Sequence, residues 1–313
     1  MVCAAMVQGL RGLAFEVIGE RMRAITGSRA SLQDFAQPPG DPGVFGPASM
    51  AWRVHAHFTA MMVGGLSSLM VQALHPRALA AVWDHSNFRH DLRGRLGRTA
   101  FFVAATTYGG RALALRTIER VNAIHAKAMG TDLQGRSYVA NEPHLIRWVH
   151  LVEVSSFLTA YQHLSSHPLS PAQCDQYTAE MRQIGEGLGA TDLPQSLKAT
   201  ELALLDFQAE LAWDDRARET VQCIETYPTD LLDKPFMALV VQAAFDVMPE
   251  WALDQMGRAR ACALQRHTHR LALQAAAAPV QWMLQEQGVS AIARQRVQAV
   301  APMGQGGHMA TAP

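Results

Sequence analysis

The sequence predicts an all-α protein, a multi-helix single domain. Three observations carry this. Apolar residues recur at helical spacing through most of the chain, Ser-Pro and Asn-x-Pro pairs stand where helices open, and no strand-type alternation runs longer than a few residues. Hydrophobic residues make up 49% of the 313 residues and charged residues only 17%. The apolar supply suits a large core, and the low charge means many helical faces must be covered. Formal net charge is zero, which argues against nucleic acid as a partner, because phosphate binding needs a basic face.

Residues 1–27 read as an amphipathic helix, since Arg11, Glu16, Glu20 and Arg21 interrupt its apolar residues; this is not the pattern of a signal peptide. Residues 28–48 are rich in proline and glycine and read as an arm, so residues 1–48 are set apart from a helical domain over 49–303. Pro47 is placed to open a helix running to His75, with Pro76 stopping it. Between Val54 and Pro76 only histidines carry ionisable groups, and the length suffices for a membrane span. His55, His57, Ser67, Ser68, Gln72 and His75 would all face lipid, however, so the segment reads as a buried core helix and no stable span is expected.

Further helices are expected over Arg77–Trp83, Gly94–Tyr108 and Arg111–Met129, the last two parted by Gly109-Gly110 and the second ended by Gly130. Asn141 and Pro143 open a helix to His163, and Ser170-Pro171 open one to Leu188. Helical patterns follow near 195–226, 230–247, 249–277 and 280–300, and the Gly- and Ala-rich residues 304–313 read as a flexible tail. Cys3, Cys174, Cys223 and Cys262 are scattered and form no metal-type pair, as expected of reduced thiols in a cytoplasmic protein.

Several side chains stand out chemically. His75, His125 and His150 lie in apolar helical surroundings. Each is either a core histidine bonded to a backbone oxygen or a ligand. Around His125, the residues Ile118, Val121, Ala128 and Met129 are expected to form one apolar wall, suited to a flat macrocycle whose iron the imidazole reaches. Arg95, Arg98 and Thr99 share a helical face with Phe102 one turn on. Paired guanidiniums beside an aromatic ring suit anionic groups, and the alternative is a solvated surface pair. Gly64, Ser67, Ser68, Val71 and His75 form a stripe of mostly small residues, fit for close helix packing or for a flat ligand. His267 and His269 read as surface residues. There is no nucleophile elbow, phosphate loop, dinucleotide fingerprint or HExxH pair. A non-haem metal bound by His75, His125 and His150, with Glu142 and Glu153 near in sequence, stays open as another arrangement.

These residues fall in an ordered series that resembles the MpaB and rubber oxygenase catalytic domain. The series runs Asp41-Pro42-Gly43-Val44-Phe45-Gly46-Pro47, Trp52-Arg53-Val54-His55, Gly64-Gly65, Leu74-His75-Pro76 and His85-Ser86-x-Phe88-Arg89. It continues with Gly94-Arg95-Leu96-x-Arg98-Thr99, Phe102-Val103, Val121-x-x-Ile124-His125 and Tyr138-x-Ala140-Asn141-x-Pro143-x-Leu145-x-x-Trp148-Val149-His150. The resemblance implies a globin-like helical core around a pocket for haem b. It implies O2-dependent oxidation of an apolar small molecule, isoprenoid or lipid-like. His125 matches the histidine that binds iron in rubber-cleaving members, and Arg95 and Thr99 match their pocket arginine and threonine. Arg98 replaces a lysine and cannot accept a proton at ordinary pH. Those members also use a glutamate as base, whereas residues 75–90 hold only Asp84 as an acid. The expected cofactor-binding set is therefore His125, Arg95, Arg98, Thr99, Phe102 and His75, with Arg95, Arg98 and Thr99 next to the chemistry. A haem or hydrophobic-ligand carrier or sensor without turnover is the alternative.

Overall fold

The computed structural model describes residues 32–227 and 229–299. The expected helix over 1–27 and the tail over 304–313 lie outside the described residues. Within them the protein is helical throughout apart from one small hairpin, so the all-α expectation holds.

The core is built on α3 (Phe58–Gln72) and α7 (Pro143–Leu164), which form the most extensive helix pair in the molecule. The small residues of the stripe make this possible. A Cβ on Gly64 would stand 2.9 Å from the Cα of Phe157 and from the carbonyl oxygen of Ser156, and Ser67 and Ser68 are buried. The stripe therefore serves helix–helix contact. Around this pair lie α8 (Pro171–Gly187) and α9 (Leu197–Leu205) against α7, and α10 (Asp215–Glu225) and α11 (Lys234–Asp246) against α3. The long α13 (Ala263–Gln287) covers α11 and α3. The charge-free segment is thus a core helix. Among the described residues no single helix is long and apolar enough to cross a membrane; Phe58–Gln72 and Pro76–His85 qualify together only as a pair bent by 106°.

Several boundaries differ from expectation, each for a local reason. The helix expected from Pro47 to His75 is two. Ser49 caps α2 (Met50–His55) by accepting from the Trp52 amide, the chain breaks at Ala56-His57, and the His57 side chain caps α3. The helix before Gly130 stops at His125: α6 (Arg111–His125) gives way to β1 (Met129–Thr131), paired antiparallel with β2 (Ser137–Val139). Gly130 sits in β1 because Tyr138 packs over it; a Cβ there would lie 2.8 Å from the Tyr138 hydroxyl. Asp132 closes the hairpin by accepting from the Gln134 and Arg136 amides at 3.0 and 2.8 Å. Glu142 rather than Asn141 occupies the cap of α7. The region 195–226 is interrupted by a short 3-10 turn, Gln208–Glu210. The region 249–277 divides into α12 (Glu250–Gln255) and α13. α13 carries Pro279 in its interior, and Leu273, Ala277 and Met283 bury against the core on both sides of it, so packing overrides the lost hydrogen bond.

The arm is tied down by polar contacts. Asp41 accepts from the Gly43 amide at 2.8 Å and from the Arg111 amide at 2.7 Å, which caps α6. Arg296, buried on α14 (Val289–Gln298), donates to the carbonyls of Phe35 at the end of α1 (Leu32–Phe35), Asp41 and Tyr108.

Buried histidines make stability depend on pH. Burial depresses the pKa of His55 to about 3 and of His150 to about 4, from 6.5. Between those values the unfolded chain binds protons that the folded chain refuses, so stability rises with pH through this window. The midpoint of urea unfolding is expected to fall as pH drops from 7 to 4.5, and His150→Gln is expected to flatten that slope. A midpoint independent of pH would contradict the burial. Gly64→Ala is expected to lose about 1–3 kcal/mol by forcing α3 from α7, read by the same denaturation.

Candidate functional site

The site that the sequence points to forms where two helices meet at one end. Asp91 caps α5 (Leu92–Tyr108) by accepting from the Gly94 amide at 2.8 Å. Gly109 and Gly110 leave only two residues between α5 and α6, so α6 folds back along α5. This turn brings Arg95, one turn into α5, within electrostatic reach of His125, the last residue of α6.

The two side chains act on each other electrostatically. The Nδ1 atom of His125 is buried and has no hydrogen-bond partner. Burial lowers the His125 pKa, and the nearby Arg95 charge lowers it further. The ring is therefore neutral at ordinary pH, which is the form that binds a metal. Burial pulls Arg95 down to about 10, with Arg98 adding to the effect, and Arg95 donates to the Ser86 hydroxyl at 3.1 Å. Even so it stays charged. A desolvated guanidinium with one neutral partner favours an anion beside it.

The other predicted residues have different surroundings. Arg98 is exposed and lies 3.8 Å from Asp91, and exposed Thr99 donates back to the Arg95 carbonyl at 3.3 Å. Phe102 is half-buried and packs on the core. The wall expected around His125 is only partly formed. Ile118 is buried, but the helix ends at His125, so Ala128 lies in the following turn and Met129, at 56% exposure, lies in β1. Ile124 is 57% exposed. A groove of about 300 Å³ runs along α6 past Leu115, Ile118 and Asn122 to Gly187.

His75, His125 and His150 are not brought together. His150 is buried against α8, where a Cβ on Gly185 would meet its ring at 2.8 Å. His75 caps α4 (Pro76–His85) at the far end from Ser86, eleven residues and about 16 Å from the Arg95 partner. There it meets His144 and Glu210, which the sequence reading missed: Glu210 lies 3.3 Å from His75 Nε2 and 2.7 Å from His144 Nε2. No spacing rule links a helix cap, a first helical turn and a 3-10 turn, so only the fold reveals this group. His269 is not a free surface residue either, since it bonds buried Asp246 at 2.8 Å.

Two of the acids that the sequence singles out are paired. Asp84 accepts from the Tyr138 hydroxyl at 2.7 Å and faces Arg216 at 3.6 Å. Glu142 pairs with Arg77 and accepts from the Val139 amide. Glu153 is pushed up to about 7 by burial, next to Tyr177.

The helical fold thus holds an imidazole with an unpartnered ring nitrogen within electrostatic reach of a half-buried arginine. Residues 52–282 match the family described as ER-bound oxygenase mpaB/B'/rubber oxygenase, catalytic domain, and the chain belongs to that family. It is therefore an enzyme of the oxygenase kind, using O2 and an organic substrate. Neither a comparison with curated proteins nor one with solved structures gave a match.

The Arg95 charge is one cause of the low His125 pKa. Removing a positive neighbour favours the protonated ring, so Arg95→Gln is expected to raise the His125 pKa in an NMR titration. An unchanged value would mean that the two side chains do not sense each other.

Proposed function

We propose that the protein is a haem b-dependent oxygenase that oxidises an apolar small molecule, isoprenoid or lipid-like, with O2. One observation carries this reading: the buried Nδ1 of His125, neutral and without a partner, beside desolvated Arg95. A buried ring nitrogen without a hydrogen bond costs about 1–3 kcal/mol, and a ligand bond would offset that cost. The residues present thus fit the cofactor that the family resemblance implies.

His125 would hold the iron at the end of α6. Haem, when bound, supplies the O2 and electron-transfer chemistry. The chain supplies the surroundings. Arg95, fixed by Ser86, stabilises negative charge close to His125. Arg98 is loosely held by Asp91 and exposed, so it can turn to a propionate at the rim. Thr99 and Phe102 continue that face, and exposed Ile124 and Met129 offer apolar surface beside it. His75 takes no part, because it stands at the other end of α4.

A specific observation keeps a second reading. Asp84 is tied to Tyr138 and Arg216, so no free carboxylate from residues 75–90 is available as a base. A haem-binding carrier or sensor would need none.

Purified protein supplied with haem is expected to show a Soret band that is shifted or lost in His125→Ala. The same spectrum in wild type and variant would overturn His125 as the ligand. Oxygen uptake that depends on an added isoprenoid or lipid separates the oxygenase from the carrier.

A further inference from the structure

We propose that His75, His144 and Glu210 form a binding site for one divalent transition-metal ion, separate from the His125 site. Their ligating atoms all lie within 4.8 Å of one another, and no other group of His, Cys, Asp and Glu among the described residues converges in this way.

The three residues arrive from distant parts of the chain. His75 is the cap of α4, His144 lies in the first turn of α7, and Glu210 ends the 3-10 turn. Each is held where it is. The His75 ring is almost wholly buried and packs against Trp148 and Phe207 at 5.8 and 6.3 Å between centroids. His144 lies against Phe207 at 4.7 Å. The Ala212 amide donates to the Leu74 carbonyl at 2.8 Å, which fastens the segment after Glu210 to the residue before His75.

The spacing suits a metal. Bonds of about 2.1 Å at tetrahedral angles place neighbouring ligand atoms about 3.4 Å apart. The His75 Nε2 to Glu210 Oε2 separation of 3.3 Å matches that already. His144 Nε2 stands 2.7 Å from Oε1 and would draw back by under 1 Å, which its 45% side-chain exposure permits. Binding at both Nε2 atoms puts the ring protons on Nδ1. His75 then gives up its 3.4 Å contact with the Ala78 amide, a weak bond to lose.

The donor set selects the ion. Two imidazoles and one carboxylate favour Zn²⁺, Fe²⁺ or Co²⁺ over Mg²⁺ and Ca²⁺, which prefer all-oxygen shells. One face is walled by Trp148 and Phe207. The other carries the exposed sides of His144 and Glu210, so solvent or a small ligand can complete the shell. Arg77, whose charge reaches His75, is paired with Glu142.

The test uses the full chain, stripped with a chelator and titrated with Co²⁺, with Zn²⁺ as competitor. One equivalent is expected to bind, with visible absorption bands of low-symmetry Co²⁺ that Zn²⁺ abolishes. His144→Ala, chosen because that side chain is half exposed, is expected to weaken binding by more than about 10-fold. Glu210→Gln is expected to do the same, with circular dichroism confirming that both variants fold. His125→Ala is expected to bind Co²⁺ as wild type does, so this site and the haem site fail or stand independently. No saturable uptake, or uptake unaltered in both His144→Ala and Glu210→Gln, would overturn the proposal and leave the cluster as a hydrogen-bonded His–Glu–His group.

Discussion

The close approach of α3 and α7 is the contact on which the rest of the molecule depends. With no side chain at Gly64, the backbone of α3 reaches the Phe157 turn of α7, and a single added carbon would stand 2.9 Å from it. Dispersion forces fall off steeply with separation, so this proximity strengthens every apolar contact along the pair. It also sets positions at a distance. The start of α7 carries His144 and Trp148, and the segment after α3 carries His75, so the pair's alignment brings these residues into register. α4 then leads from that corner to Ser86, which steadies Arg95.

At the other end of α4 a ring nitrogen is buried and a guanidinium is largely desolvated, each at an energetic disadvantage. His125 loses solvent without gaining a hydrogen bond, and Arg95 keeps its charge with only a hydroxyl for company. Arrangements of this kind concentrate at functional sites, because a structure selected for stability alone would pair such groups or expose them. The two effects reinforce each other. Burial favours the neutral imidazole and the arginine's charge adds to this, while the low polarity around both strengthens whatever bond either makes with a ligand. Membership in the oxygenase family gives this arrangement its setting.

Much of this was legible in the chain. Ser170 with Gln173 forms the capping box that opens α8, and Gly109-Gly110 separates α5 from α6. Capping and glycine act within a few residues, so they can be read from neighbours alone. Where the reading erred, a distant partner had intervened. Gly130 looked like the end of a helix, but Tyr138 across the hairpin claims the space above it. The segment from Pro47 to His75 looked continuous because its histidines could not be recognised as caps. The regions 249–277 and 280–300 read as separate helices, yet burial on both sides of Pro279 carries α13 through it.

By itself, then, the sequence determined the helical class, the buried character of the segment before Pro76, and the placing of Arg95 and His125 as candidates near one site. The first two follow from composition, periodicity and local geometry, and the third from the family resemblance. Tertiary structure alone decided that His125 keeps a bare ring nitrogen, that Arg98 faces Asp91, and that His75 belongs with His144 and Glu210. Each of these depends on which surfaces exclude water and which segments meet. His75 and Glu210 are 135 residues apart in the chain, and only the packing that joins them could say so.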